Sequence, residues 1–195
     1  MKRVHPIEEE SYRILRELVD LSDLEPLTRA VAQRVIHASA DLEYSETLVL
    51  DEVALEGGLE ALHRGAPIVV DVRMVAAGIT AREPHCYVSD SRTRELSRRL
   101  NITRSAAGFR FAAQEVGTGA VWVVGNAPTA LFELLDLPEV EPALVVGLPV
   151  GFVGAAESKE KLSQSGFPSI TNRGHKGGSA VAAAALNALI YYEED

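Results

Sequence analysis

Along the first third of the chain, apolar residues recur three and four positions apart: Ile14, Leu15, Leu18 and Val19, then Leu27, Val31, Val35 and Ile36. That spacing predicts two helices with one greasy face each. Pro26 can open the second, because a proline in the first helical turn gives up no needed donor. A third helix is predicted over 51–63, weakened by Gly57-Gly58 and stopped at Gly65. From Ala66 the pattern changes. Short β-branched runs separated by glycine-containing turns predict strands over 68–72, 86–89, 120–124, 143–146 and 168–171. The first, third and fourth are nearly all apolar, as strands covered on both faces are. Helices are predicted between them, over 92–100, 106–115, 128–135 and 157–164, and a last one over 178–191. The alternation predicts an α/β protein: a doubly wound, mostly parallel five-stranded sheet with helices on both faces and an N-terminal helical segment.

Length changes the picture little, since 195 residues suffice for one substantial core and predict a single domain over 1–195. Charge excludes more. The net charge of −9 argues against a nonspecific nucleic-acid binder, although a few arginines can still make one pocket positive. Cys86 is the only cysteine, so neither an intramolecular disulfide nor a cysteine-built metal cage can form, and a reducing cytoplasm suits the chain. The amino terminus shows no signal sequence, and the apolar stretch 180–189 is far short of the ~20 residues that span a bilayer. No membrane partner is expected.

In open α/β sheets ligands bind outside the carboxyl ends of the strands, so the residues after each strand are the candidates. They are 71–80, 125–130, 147–159 and 172–179, rich in glycines, hydroxyls and cations. Glycines let a ligand approach the backbone, and helix amino termini offer N–H groups to anions. The same residues also suit ordinary tight turns. For 173–179, where Arg173 and Lys176 flank glycines, an anionic ligand is the better reading. No Gly-x-x-x-x-Gly-Lys-Ser/Thr or Gly-x-Gly-x-x-Gly run is present, which argues against ATP and dinucleotides. Without a histidine and carboxylate cluster at ligand spacing, no metal site is expected. There is no Gly-x-Ser-x-Gly elbow, and Cys86 falls inside a predicted strand, so acid–base or electrostatic chemistry remains. His37, between Val35-Ile36 and Ala38-Ser39 near a helix end, is the candidate for it, because histidine exchanges protons near neutrality. Taken alone, it also reads as a helix-end histidine bonded to carbonyls. His5, His63 and His85 read as surface residues.

Seven motifs together resemble the precorrin-8X / cobalt-precorrin-8 methylmutase family. They are Glu10-Ser11-Tyr12-Arg13-Ile14, Arg34-Val35-Ile36-His37-Ala38, Asp71-Val72-Arg73-Met74-Val75, Thr103-Arg104-Ser105-Ala106-Ala107 and Gly125-Asn126-Ala127-Pro128-Thr129-Ala130-Leu131, followed by the long 149–159 string and Arg173-Gly174-His175-Lys176-Gly177-Gly178-Ser179. The 149–159 string and the Asn126 turn are the most specific. The resemblance implies a flavodoxin-like sheet in the order 2-1-3-4-5 and a homodimer with its active site at the interface. It also implies a cofactor-free isomerase of cobalamin biosynthesis, which moves a methyl group from C-11 to C-12 of a polycarboxylate tetrapyrrole to give a corrin product. It makes His37 the catalytic residue, protonating the macrocycle. Ser11, Arg13, Thr80 and Arg104 become substrate contacts, with Arg73, Asn126, Arg173 and Lys176 as weaker additions. Each of these cations can instead make a structural ion pair, and in the weaker group the two readings are evenly matched. The role of His175 stays open. A noncatalytic tetrapyrrole carrier and a flavodoxin-like redox protein are the competing readings, since fold alone does not give function.

Overall fold

The computed structural model describes residues 5–193. Its helices are α1 (Pro6–Leu18), α2 (Pro26–Ser39), α3 (Tyr44–Thr47), α4 (Glu52–His63), α5 (Arg73–Gly78), α6 (Ser91–Leu100), α7 (Arg104–Val116), α8 (Pro128–Leu135), α9 (Ala155–Ser163) and α10 (Ser179–Ile190). The strands are β1 (Leu48–Val49), β2 (Ile68–Val70), β3 (Val121–Val124), β4 (Leu144–Gly147) and β5 (Ser169–Asn172). They form one mixed sheet in the order β1-β5-β4-β3-β2, parallel except for the antiparallel β1–β5 pair.

Strand alternation decides the two layers. Ile68, Val70, Val121, Val123, Leu144, Val146 and Ile170 face a core built with α1, α2, α4 and α10. Val69, Trp122, Val124 and Val145 face the other way, against Phe109 of α7, Leu131 and Leu134 of α8, and Leu162 of α9. This double burial is why the strands read as unbroken apolar runs. The Gly57-Gly58 pair does not break α4. At Gly58 a Cβ would meet the Leu144 side chain at 2.7 Å, so the glycine lets the helix lie close over β4.

Two expectations are corrected. The predicted strand over 86–89 is absent; what remains is a single bridge, Val69 with His85, made by His85 N to Ile68 O (2.7 Å) and Val70 N to His85 O (2.9 Å). Pro84 has no N–H to extend the ladder, and a turn closed by Asp90 N to Tyr87 O redirects the chain into α6. The fifth strand is instead β1, on the opposite edge, where Leu48 and Val49 pair with Asn172 and Thr171. The candidate segment after β2, where the sequence predicts no helix, contains α5. Among the described residues no helix is long and apolar enough to cross a membrane.

Candidate functional site

α2 ends where β5 ends. Its cap, Ala40, adopts the left-handed conformation (φ 52°), and the chain continues to Asp41 and Glu43, which grip Lys176 Nζ at 2.6 and 2.8 Å. Lys176 lies four residues past the end of β5, so the last turn of α2 stands beside the carboxyl tips of the sheet. His37 occupies that turn, half-buried. Its Nδ1 lies 2.9 Å from Ser11 Oγ on α1, and the Tyr12 ring stacks on the imidazole at 4.7 Å, 17° from parallel. Arg34, one turn earlier, donates to the Tyr12 hydroxyl (3.3 Å) and to Glu8 (3.0 Å), fixing α1 on α2.

This geometry constrains the chemistry. With Nδ1 facing Ser11, Nε2 is the nitrogen left to meet a ligand, and it has no protein hydrogen bond among the described residues. A serine hydroxyl both donates and accepts, so it can follow the imidazole through either protonation state. Stacking on Tyr12 meanwhile holds the ring plane.

At the tips of β2 and β3, the Asp71 carboxylate, 1% exposed, accepts hydrogen bonds from Gly125 N (3.2 Å), Asn126 N (2.9 Å) and Ala127 N (2.7 Å). Burial pushes this carboxyl above its usual range, and the three N–H bonds pull against that. The turn's N–H groups are therefore spent inside the protein, so of the two readings left open for this segment the tight turn holds. What the turn offers outward is the exposed Asn126 side chain. The Thr103 and Thr129 hydroxyls, 2.7 Å apart, tie the amino termini of α7 and α8 together beside it. Arg104 is exposed at the first position of α7.

The candidate cations fall into two groups. Arg73, Arg104 and Arg173 are exposed and make no ion pair among the described residues. Arg13, by contrast, is engaged by Glu10 and Glu17 of its own helix, and Lys176 by Asp41 and Glu43. Arg73 and Thr80 line a cavity of about 1010 Å³ along the β2 edge, together with Arg82, His85 and Tyr87. Arg82 spends its guanidinium on the Leu62 and Ala66 carbonyls, and Thr80 Oγ1 lies 2.8 Å from the Tyr191 hydroxyl. Neither Ser11 nor His37 lines this cavity. One chain thus brings Ser11 and His37 together, and Arg73 and Thr80 together, without joining the pairs in one cavity. Among the described residues no group of three or more His, Cys, Asp or Glu is placed to hold a metal.

Two loops close the fourth side. The 149–154 loop exposes Phe152 (90%) and Val153 (89%), and it is tied to the 173–178 loop by Gly151 N to His175 O (3.2 Å) and a His175 Nδ1 to Gly151 O contact (3.1 Å). His175, whose role the motif left open, joins these loops while its ring lies 5.8 Å from that of Phe152. Beneath them is Lys159, 1% exposed, its ammonium donating to Asn172 Oδ1 (3.0 Å) and the Lys176 carbonyl (2.5 Å). Burial pulls this ammonium down to about 8 from an ordinary 10.5. Between those values the unfolded chain holds a proton that the folded chain has shed, so folding stability rises with pH across that window and is lost as pH falls through it. Relative to Lys159→Met, the protein is expected to gain up to about 3 kcal/mol between pH 8 and 10.5. Denaturant unfolding of both at several pH values checks it, and parallel curves would refute it.

Fold and site together define an α/β protein with a histidine–serine pair and exposed guanidiniums around the carboxyl ends of parallel strands. The chain belongs to the precorrin-8X methylmutase family, whose family model matches residues 6–192. It is 40% identical to cobalt-precorrin-8 methylmutase of Methanothermobacter thermautotrophicus, over 98% of this chain and 94% of that protein. It is 42% identical to the enzyme of the same name from Salmonella typhimurium, over 95% and 94%. The crystal structure of precorrin-8X methyl mutase from Thermus thermophilus superposes with a TM-score of 0.86 at 37% identity, covering 95% of this chain and 96% of that one.

Proposed function

We propose that this protein is a cofactor-free isomerase of cobalamin biosynthesis, moving a methyl group from C-11 to C-12 of precorrin-8X or cobalt-precorrin-8 to give hydrogenobyrinate or cobyrinate. The observation that carries this reading is the 2.9 Å Ser11–His37 contact, which engages Nδ1 and leaves Nε2 for a ligand. Methyl migration leaves the atom count of the substrate unchanged. The protein therefore has only to hold the ring and exchange a proton, which His37 does with Ser11 following its protonation state. A flat ring bearing many carboxylates calls for an apolar slot rimmed by cations. Arg73, Arg104 and Arg173 supply exposed guanidiniums, with Asn126 and Thr80 as neutral donors. Arg13 and Lys176 reach a carboxylate by exchanging their ion pairs, at little cost because exposed pairs contribute little.

The working unit is a homodimer. Exposed Phe152 and Val153 beside the tips suit burial against a second copy, and such a copy would join Ser11 and His37 of one chain to the cavity that Arg73 and Thr80 line in the other. Both apolar layers share one sheet, which supports a single domain over 1–195. The order β2-β3-β4-β5, with His85 bridged to the outer side of β2, supports a flavodoxin-like winding whose second strand is reduced to one residue. The lone, partly buried Cys86 suits the cytoplasm.

The test is direct. Pure protein incubated with metal-free and cobalt-containing substrate should change the absorption spectrum to that of the rearranged corrin. A binding shift without conversion would make it a carrier, and flavin absorbance a redox protein. Arg104→Ala is expected to weaken product affinity about 10- to 100-fold, the worth of one charge-assisted hydrogen bond. Titration of the coloured corrin measures this, and unchanged affinity would remove Arg104 from the site.

A further inference from the structure

The reaction proposed above leaves one buried charge without a task. Lys159 projects from α9 beneath the 173–178 loop, and no carboxylate pairs with it among the described residues. Its two partners are neutral oxygens of Asn172 and of the Lys176 main chain. Asn172 in turn donates through Nδ2 to the Arg173 carbonyl and to the same Lys176 carbonyl, both at 3.1 Å. The Lys176 oxygen thus takes donors from both side chains. A cation buried without a counter-charge is a poor device for stability, since an apolar residue of similar length packs there with no desolvation cost. The hydrogen bonds do something else. They draw the Arg173 and Lys176 carbonyls inward, which leaves the side chains of Arg173, His175 and Lys176 exposed on the outer side of the loop.

We propose that Lys159 is a positioning residue: with Asn172 it clamps the 173–178 backbone from below, so that Arg173 and its neighbours meet a substrate carboxylate already aimed. The proposal rests on the functional reading above. It extends that reading by separating residues that touch the macrocycle from one that acts through them. Pre-aimed guanidinium groups matter because a misplacement of ~1 Å is enough to forfeit most of a positioning effect. Glycines at 174, 177 and 178 leave the loop little stiffness of its own, so the clamp from Lys159 supplies it.

The experiment compares the wild type, Lys159→Met and Lys159→Gln in two ways. Amide hydrogen exchange of the full-length protein without ligand reads the loop itself. The clamp predicts at least tenfold faster exchange in the Met variant of the amides that hold the loop, Gly178 (to Leu148 O, 2.9 Å) and Gly151 (to His175 O, 3.2 Å), with β3 and β4 unchanged and the thermal midpoint not lowered. Titration with the metal-free corrin product and steady-state kinetics read the consequence: product affinity weaker by tenfold or more and KM raised, with kcat reduced less than threefold. The Gln variant, which keeps an uncharged amide donor, should fall between, and it carries the test if the Met variant does not fold. Normal loop protection, or lost protection with unchanged affinity, overturns the proposal. If the wild type binds no corrin, the functional reading fails with its ligand half, while the exchange data still decide the clamp.

Discussion

Turnover of the His37→Ala variant is expected to fall about 100- to 10,000-fold, the usual contribution of a positioned acid–base group. Folding and product binding should survive. His37 is half-buried in the last turn of α2, and its side chain is held by one hydrogen bond and one ring contact rather than by core packing. Removing it deletes the proton-exchanging nitrogen while the apolar face of α2, carried by Leu27, Val31, Val35 and Ile36, stays intact. Ser11→Ala should cost a smaller factor, because water can take the place of a partly exposed hydroxyl while Tyr12 still fixes the ring plane. The measurement is kcat from corrin absorbance, with a thermal melt and a product titration on the same preparation. Undiminished turnover in a folded His37→Ala protein would reject the role.

How far the site could be read from the sequence depends on how local each contact is. The β2–β5 ladder and its covering helices follow from periodicity, because an apolar run buried on both faces leaves its mark within a few residues. β1 leaves none: two residues owe their strand conformation to Asn172 and Thr171, far along the chain. The 86–89 segment has strand-like residues, yet Pro84 and the turn at Tyr87 outweigh propensity at a sheet edge. Asp71 was legible as a motif member but not as the anchor of the Asn126 turn, since its partners lie 54 to 56 positions away. Lys159 stood at the end of the 147–159 segment and of its motif string, with nothing there to set it apart. The signal that would have found it is that it shares a face with Ala155, Ser158 and Leu162, the side of α9 that is buried. His37 stood out by its helix-end setting and Ser11 only through a family motif, and residue chemistry alone could not have paired side chains on separate helices.

Gly177→Ala is the second large effect, and its cause is steric. A Cβ at 177 would stand 2.5 Å from the Pro149 carbonyl oxygen and closer still to that of Leu148. Both are main-chain atoms just past β4, so no side-chain rotation relieves the contact and one of the two loops must move. Overpacking of this kind costs ~2 kcal/mol, which for a chain of this size lowers the melting temperature by about 4–8 °C. The loop that gives way is the one carrying Arg173, and Gly178 N to Leu148 O (2.9 Å) is the hydrogen bond first stretched. Corrin affinity should therefore fall by about tenfold or more even well below the melting temperature. Gly57→Ala is the matched control, for no atom lies within 4 Å of the added Cβ on α4. An alanine in that helix should be neutral or stabilising by up to about 1 kcal/mol and leave binding untouched. Equal behaviour of the two variants would mean that the close approach of the 148–149 and 177–178 main chains does not hold the binding loop in place.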